Sequence, residues 1–198
     1  MKPDQALLIV DVQNDFCSQG ALPVPEGETV VPVLNQYLDF FVKKQWLVIA
    51  SRDWHPERSK HFQEFGGKWP RHCVQSSVGA QFYSDLQLPK SAIIVSKGMN
   101  PEEDSYSAFQ GLSDGRWIPL GSLLQKYGIK TLFVGGLATD YCVKASVLDA
   151  LECGLRVNVL IDAVKGVNLQ PNDSTLAIEE MVRNGAQLFT LKDLATFR

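Results

Sequence analysis

Short apolar runs alternate along the chain with stretches whose apolar residues recur every three or four positions. Ala6 to Val10 and Trp46 to Ser51 are apolar almost throughout, the pattern of strands buried on both faces. Ala92 to Ser96, Thr131 to Val134, Arg156 to Asp162 and Gln187 to Leu191 predict four more strands. Between them, Val30, Val33, Leu34, Tyr37, Leu38, Phe41 and Val42 share one face of a helix over 30–44, in which Pro32 is tolerable because it falls in the first turn. Leu120, Leu123, Leu124 and Tyr127 mark a second helix, Val143, Val147, Ala150 and Leu151 a third, and Ala177, Ile178, Met181 and Val182 a fourth over 173–184. Gly128, Gly154 and Gly185 supply the stops. Strands alternating with helices in this way predict an α/β fold, a parallel sheet covered on both faces.

In such sheets ligands bind beyond the carboxyl ends of the strands. Asp11, Asp53, Lys97 and Cys142 each follow a predicted strand end closely, so one face of the sheet can gather all four. The sharpest of these places is Gly135-Gly136-Leu137-Ala138-Thr139-Asp140-Tyr141-Cys142, where a strand ends in glycines and a helix opens, with Thr139 or Asp140 as its expected N-cap. A thiol in a first helical turn faces unpaired N–H groups and the positive end of the dipole, which favour the thiolate. The bland alternative is a small buried apolar residue, the usual fate of a free cysteine.

At 198 residues and 22.0 kDa the chain is expected to form one domain over 1–198, large enough to bury about 70% of the surface its unfolded state exposes. A net charge of -3 gives no field for nucleic acid or anionic membrane, and no apolar run reaches membrane-spanning length. The partner expected is a small neutral molecule. The N-terminal apolar run has no small-residue cleavage site, and Cys17, Cys73, Cys142 and Cys153 lack paired spacing; reduced thiols in the cytoplasm are the expectation.

Two long segments interrupt the alternation, about 52–91 and about 98–118. The first holds every histidine of the chain, in the pattern D-x-H-x5-H-x10-H of Asp53, His55, His61 and His72. Neutral imidazoles with a carboxylate suit Zn²⁺ first, with Fe²⁺ or Mn²⁺ as alternatives, and a long irregular loop gains most from a metal clip. Cys73 is an alternative ligand to His72; solvated polar side chains are the bland alternative. The second segment carries Tyr106, Phe109 and Trp117, the aromatics of a packed lid.

Asp11, Lys97 and Cys142 form a second set: a carboxylate that can take a proton, a cation beside it, and a thiol. Together they would support attack on an amide or ester carbonyl through a thioester. Taken singly, Lys97 is an ordinary loop cation and Asp11 a turn cap. Other thiol chemistry lacks its spacing: Leu148 stands where a phosphatase would have arginine, there is no C-x-x-C pair, and no glycine-rich loop is placed to cradle a nucleotide.

From D-V-Q-N-D-F at Asp11 through D-W-H-P, H-F, W-P-R-H-C, Ser96-Lys97-Gly98 and D-S-Y-S-A-F around Tyr106 to G-L-A-T-D-Y-C at Cys142, the chain resembles the nicotinamidase and pyrazinamidase branch of the isochorismatase-like cysteine hydrolases. The resemblance implies a three-layer, Rossmann-like fold with a six-stranded parallel sheet of order 3-2-1-4-5-6. It also implies a triad of Asp11, Lys97 and Cys142, one divalent metal on Asp53, His55, His61 and His72, and oxyanion donors at the backbone N–H of Ala138 and Cys142. A cis peptide between Leu137 and Ala138 goes with those donors, and Phe16, Trp69 and Tyr106 match the walls around a pyridine ring. The implied reaction is hydrolysis of nicotinamide to nicotinate and ammonia in NAD salvage, with pyrazinamide as a further substrate. Homo-oligomers are frequent in the family, but no residue here identifies an interface.

Three alternatives differ in what they need. An amidase for a carbamoyl or ureido substrate has no use for the ring-binding aromatics and metal loop, and the vinyl-ether-cleaving isochorismatase group needs no thiol. A non-catalytic binder on the same scaffold would release no ammonia.

Overall fold

The computed structural model describes residues 4–194 and Thr196. The ends of the expected domain, 1–3, 195, 197 and 198, lie outside the described residues. Seven strands form one sheet: β1 (Gln5–Val10), β2 (Leu47–Asp53), β3 (Ile93–Lys97), β4 (Leu112–Ser113), β5 (Thr131–Leu137), β6 (Arg156–Lys165) and β7 (Gln187–Phe189), in the order β4-β3-β2-β1-β5-β6-β7. The six parallel strands follow the expected order. The seventh is a correction: β4 pairs antiparallel with β3 through Val95–Ser113 and Ser96–Leu112, and two residues inside a polar loop carry no period to read.

β1 lies at the centre between β2 and β5, which is why it is apolar throughout. Leu7 and Ile9 face one core with α1 (Val30–Lys43), including Leu34, Tyr37 and Phe41. Ala6, Leu8 and Val10 face the other, with α2 (Leu120–Tyr127) and α3 (Lys144–Glu152). Further along, α4 (Asp173–Arg183) joins the second core through Met181, and the short α5 (Leu191–Leu194) joins the first through Leu194. β6 runs three residues past its predicted end, and the β5–β6 register shifts between Val134 and Gly136. Gly136 is there because its φ of 120° disfavours a side chain and a Cβ would overlap the Val10 carbonyl.

Two local expectations change. Neither Thr139 nor Asp140 caps the helix after β5: Ala138 occupies the cap with no side-chain bond, and Thr139–Val143 is a π-helical turn that passes into α3. Of the lid aromatics, Tyr106 and Phe109 pack on the second core, whereas Trp117 is 64% exposed. Trp117 sits in a turn at φ 54°, its N–H bonded to the Ser113 carbonyl, and that turn aims the ring outward.

Candidate active site

Four strand ends deliver the buried groups. Asp11 follows β1 at φ 49°, Asp53 and Lys97 end β2 and β3 as registered neighbours, and Cys142 follows β5 in the π turn. Lys97 is fully buried, and its ammonium has several partners. Nζ donates to Asp53 Oδ1 at 2.5 Å, lies 2.9 Å from Asp11 Oδ2, and donates to the Ser105 carbonyl at 3.3 Å and to Cys142 Sγ at 3.4 Å. The Ser51 hydroxyl donates to the other Asp11 oxygen at 2.6 Å. Asp11, Asp53 and Cys142 each bring a ligand-type atom within 4.8 Å of the other two. The three residues expected to act together are therefore in one place.

Burial disfavours the charge on Lys97, but Asp11 and Asp53 outweigh it and hold the ammonium protonated. Burial likewise works against Asp53, yet Lys97 and His55 keep it ionised well below the usual carboxylate range. Asp11 moves the other way: burial, reinforced by the Asp53 charge, raises it against the pull of Lys97. Cys142 is also raised, by burial first and by both carboxylates, with Lys97 opposing. The carboxylates and burial thus work against the thiolate that the helix start and Lys97 favour.

The three histidines converge beside this cluster. His55 Nδ1 lies 3.1 Å from the Gly98 carbonyl, His72 Nδ1 2.7 Å from the Pro70 carbonyl, and His61 Nδ1 2.6 Å from Asp104 Oδ1. Carbonyls and carboxylates only accept, so each Nδ1 is the donor of its contact and Nε2 is the ring atom left for the shared centre. His55 Nε2 is buried without a hydrogen bond among the described residues. Nε2 of His55 and of His72 stand 3.8 and 3.9 Å from Asp53 Oδ2, and the three imidazoles offer ligand atoms within 4.8 Å of one another. This donor set fits a divalent cation. Cys73, the alternative to His72, belongs to neither convergent group among the described residues; its N–H is held by Asp15 Oδ2 at 2.7 Å. Gly98 is required as well, since a Cβ there would stand 2.5 Å from the His55 ring. Asp53 is itself aligned by Gln13, whose side chain bonds both its N–H and its carbonyl at 2.8 Å.

Cys142, Asp53, His61 and His72 line a cavity whose other walls include Phe16, Trp69, Tyr106, Tyr141, Leu137, Ala138 and Val167. The Trp69 indole donates to the Tyr106 hydroxyl at 3.0 Å, and Tyr141 sits edge-on to Trp69 with centroids 5.0 Å apart. All three expected aromatics are present. Sequence reasoning missed Tyr141, Asp104 and Ser51; Tyr141 directly precedes Cys142, and that adjacency is the one signal that could have found it. The Leu137–Ala138 peptide is cis.

Residues 5–193 match the isochorismatase domain. The chain belongs to the isochorismatase family. Within it the chain lies in the nicotinamidase branch: it is 46% identical to the nicotinamidase of Escherichia coli (strain K12), over 96% of this chain and 97% of that protein. It is 35% identical to the nicotinamidase/pyrazinamidase of Mycobacterium tuberculosis, over 92% and 96%. Among solved structures, the pyrazinamidase of Pyrococcus horikoshii in complex with zinc superposes with a TM-score of 0.88 at 45% identity, covering 95% of this chain and 99% of that one. Among the described residues, no helix is long and apolar enough to cross a membrane.

Proposed function

We propose that this member of the isochorismatase family is a metal-dependent cysteine amidohydrolase that converts nicotinamide to nicotinate and ammonia, and accepts pyrazinamide. The observation that carries it is Cys142 Sγ 3.4 Å from Lys97 Nζ, with Asp11 2.9 Å beyond, at the floor of an aromatic cavity beside three histidines. The similarity to nicotinamidases over nearly the full length supports the same substrate.

Cys142 attacks the carboxamide carbon as its thiol proton passes to Asp11, whose raised basicity suits it to accept. The carbonyl oxygen takes the negative charge between the N–H groups of Ala138 and Cys142; loss of one such donor typically costs about 3–4 kcal/mol of barrier. Asp11 returns the proton to the departing nitrogen, ammonia leaves, and a thioester remains. Water then adds to the thioester with its proton again going to Asp11, which passes it to the departing Cys142 sulfur; the thiol is restored and nicotinic acid leaves, ionising to nicotinate. Lys97 stays protonated throughout and steadies the carboxylate and sulfur charges.

Phe16, Trp69, Tyr106 and Tyr141 hold the ring plane. Asp53, His55, His61 and His72 would hold the metal, zinc by choice of donors, with iron or manganese as alternatives. When bound, that ion supplies a Lewis acid for the ring nitrogen. The test is ammonia release from nicotinamide by purified protein, before and after chelation and after zinc is restored. Release that is lost and recovered supports the proposal; no release from metal-loaded protein overturns it.

A further inference from the structure

Asp140 stands two residues before Cys142, is buried, and has no part in the chemistry above. Freed from capping its own helix, its carboxylate reaches across to the segment after β6. Oδ1 accepts the Val167 N–H at 2.9 Å and Oδ2 accepts the Asn168 N–H at 2.7 Å. The grip continues outward. Asn168, at φ 53°, accepts the Ser174 N–H at the start of α4 with its own Oδ1 at 2.9 Å, and its amide donates to the Gly166 carbonyl at 3.3 Å. At Gly166 a Cβ would overlap Ser174 Oγ and stand 3.0 Å from Asp140 Oδ1, so the segment lies tight against the carboxylate. Val167 lines the same cavity as Cys142.

We propose that Asp140 is a positioning residue for the reaction. Its carboxylate clamps the π turn that carries Cys142 to the 166–168 segment that carries the Val167 wall, fixing the thiol and its own N–H relative to the bound ring. The inference rests on the hydrolase proposed above. Only a carboxylate satisfies both bonds, because two consecutive N–H groups need two acceptors and asparagine would set an amide donor against one of them.

The experiment compares wild type with Asp140→Asn and, as control, Ser174→Ala, which alters the same packing but removes no hydrogen bond, since Ser174 Oγ makes none among the described residues. Steady-state kinetics are normalised to titrated active thiol, and amide hydrogen exchange is followed in peptides covering 139–143 and 166–168. Asp140→Asn is expected to lower kcat about ten- to a hundredfold with KM within about threefold, the pattern of lost alignment and not of lost ring binding. Exchange should accelerate in both peptides, while Ser174→Ala matches wild type. A kcat within twofold of wild type, or unchanged exchange in 139–143, overturns the clamp while leaving the hydrolase standing. Wild type that releases no ammonia overturns the hydrolase instead, and the exchange data then decide the clamp alone. If Asp140→Asn does not fold, Asp140→Glu, which keeps both acceptors, is expected to fold with partial protection of 166–168; exchange in 139–143 and 166–168 as fast in Asp140→Glu as in unfolded Asp140→Asn overturns the clamp.

Discussion

Asp53 and Lys97 end adjacent strands in register, and Lys97 Nζ donates to Asp53 Oδ1 at 2.5 Å while the other Asp53 oxygen faces the histidines. One carboxylate thereby serves the cation beside the thiol and the metal donors at once. Asp53→Asn should damage both: metal content measured on the purified protein falls well below one equivalent, and kcat drops by at least about a hundredfold, since a ligand and the charge partner of Lys97 go together. Full metal content with impaired turnover would separate the two roles.

The His61–Asp104 contact of 2.6 Å predicts an effect on metal affinity from outside the ligand set. Asp104→Asn should weaken zinc binding about ten- to a hundredfold in competition titrations, the usual cost of a lost outer partner to a ligating histidine. An unchanged affinity would remove Asp104 from the role.

Acid should destabilise the metal-free protein in a defined window. Burial holds His72 down at about 4, from 6.5, and lowers His61 as well. The unfolded chain therefore binds protons that the folded state refuses, so the stability these neutral rings carry is complete above pH 6.5 and is lost as the pH falls toward 4. Urea midpoints of chelated protein should decline as the pH falls through that interval; midpoints level from pH 7 to 4 would contradict the buried neutral rings.

Trp69 lines the cavity and donates the 3.0 Å bond that holds Tyr106; in the proposed reaction it touches the substrate ring and not the reacting atoms. Trp69→Ala should raise KM about tenfold or more and leave kcat within a fewfold, the signature of binding made equally to substrate and transition state. A loss confined to kcat would assign Trp69 differently.

The parallel strands and the groups at their ends were legible because a buried strand writes a continuous apolar run, and Asp11, Asp53 and Lys97 stand where each run stops. The histidines were legible by their confinement to one loop. What escaped depends on distant chain meeting in space: Asp104 on His61 is 43 residues away, and Asp140 reaches 27 and 28 residues to Val167 and Asn168. The opposing influences on Cys142 escaped for a related reason, since the two buried carboxylates that work against a thiolate come from other strands and are folded against it.

The measurement that bears most directly on the sulfur's role is ammonia release from nicotinamide by Cys142→Ala beside wild type, with metal content and thermal midpoint followed in both. The variant should keep its metal and its fold and lose at least about a thousandfold in kcat, as removal of a nucleophile does. Turnover above about a tenth of wild type would mean that another group attacks the amide.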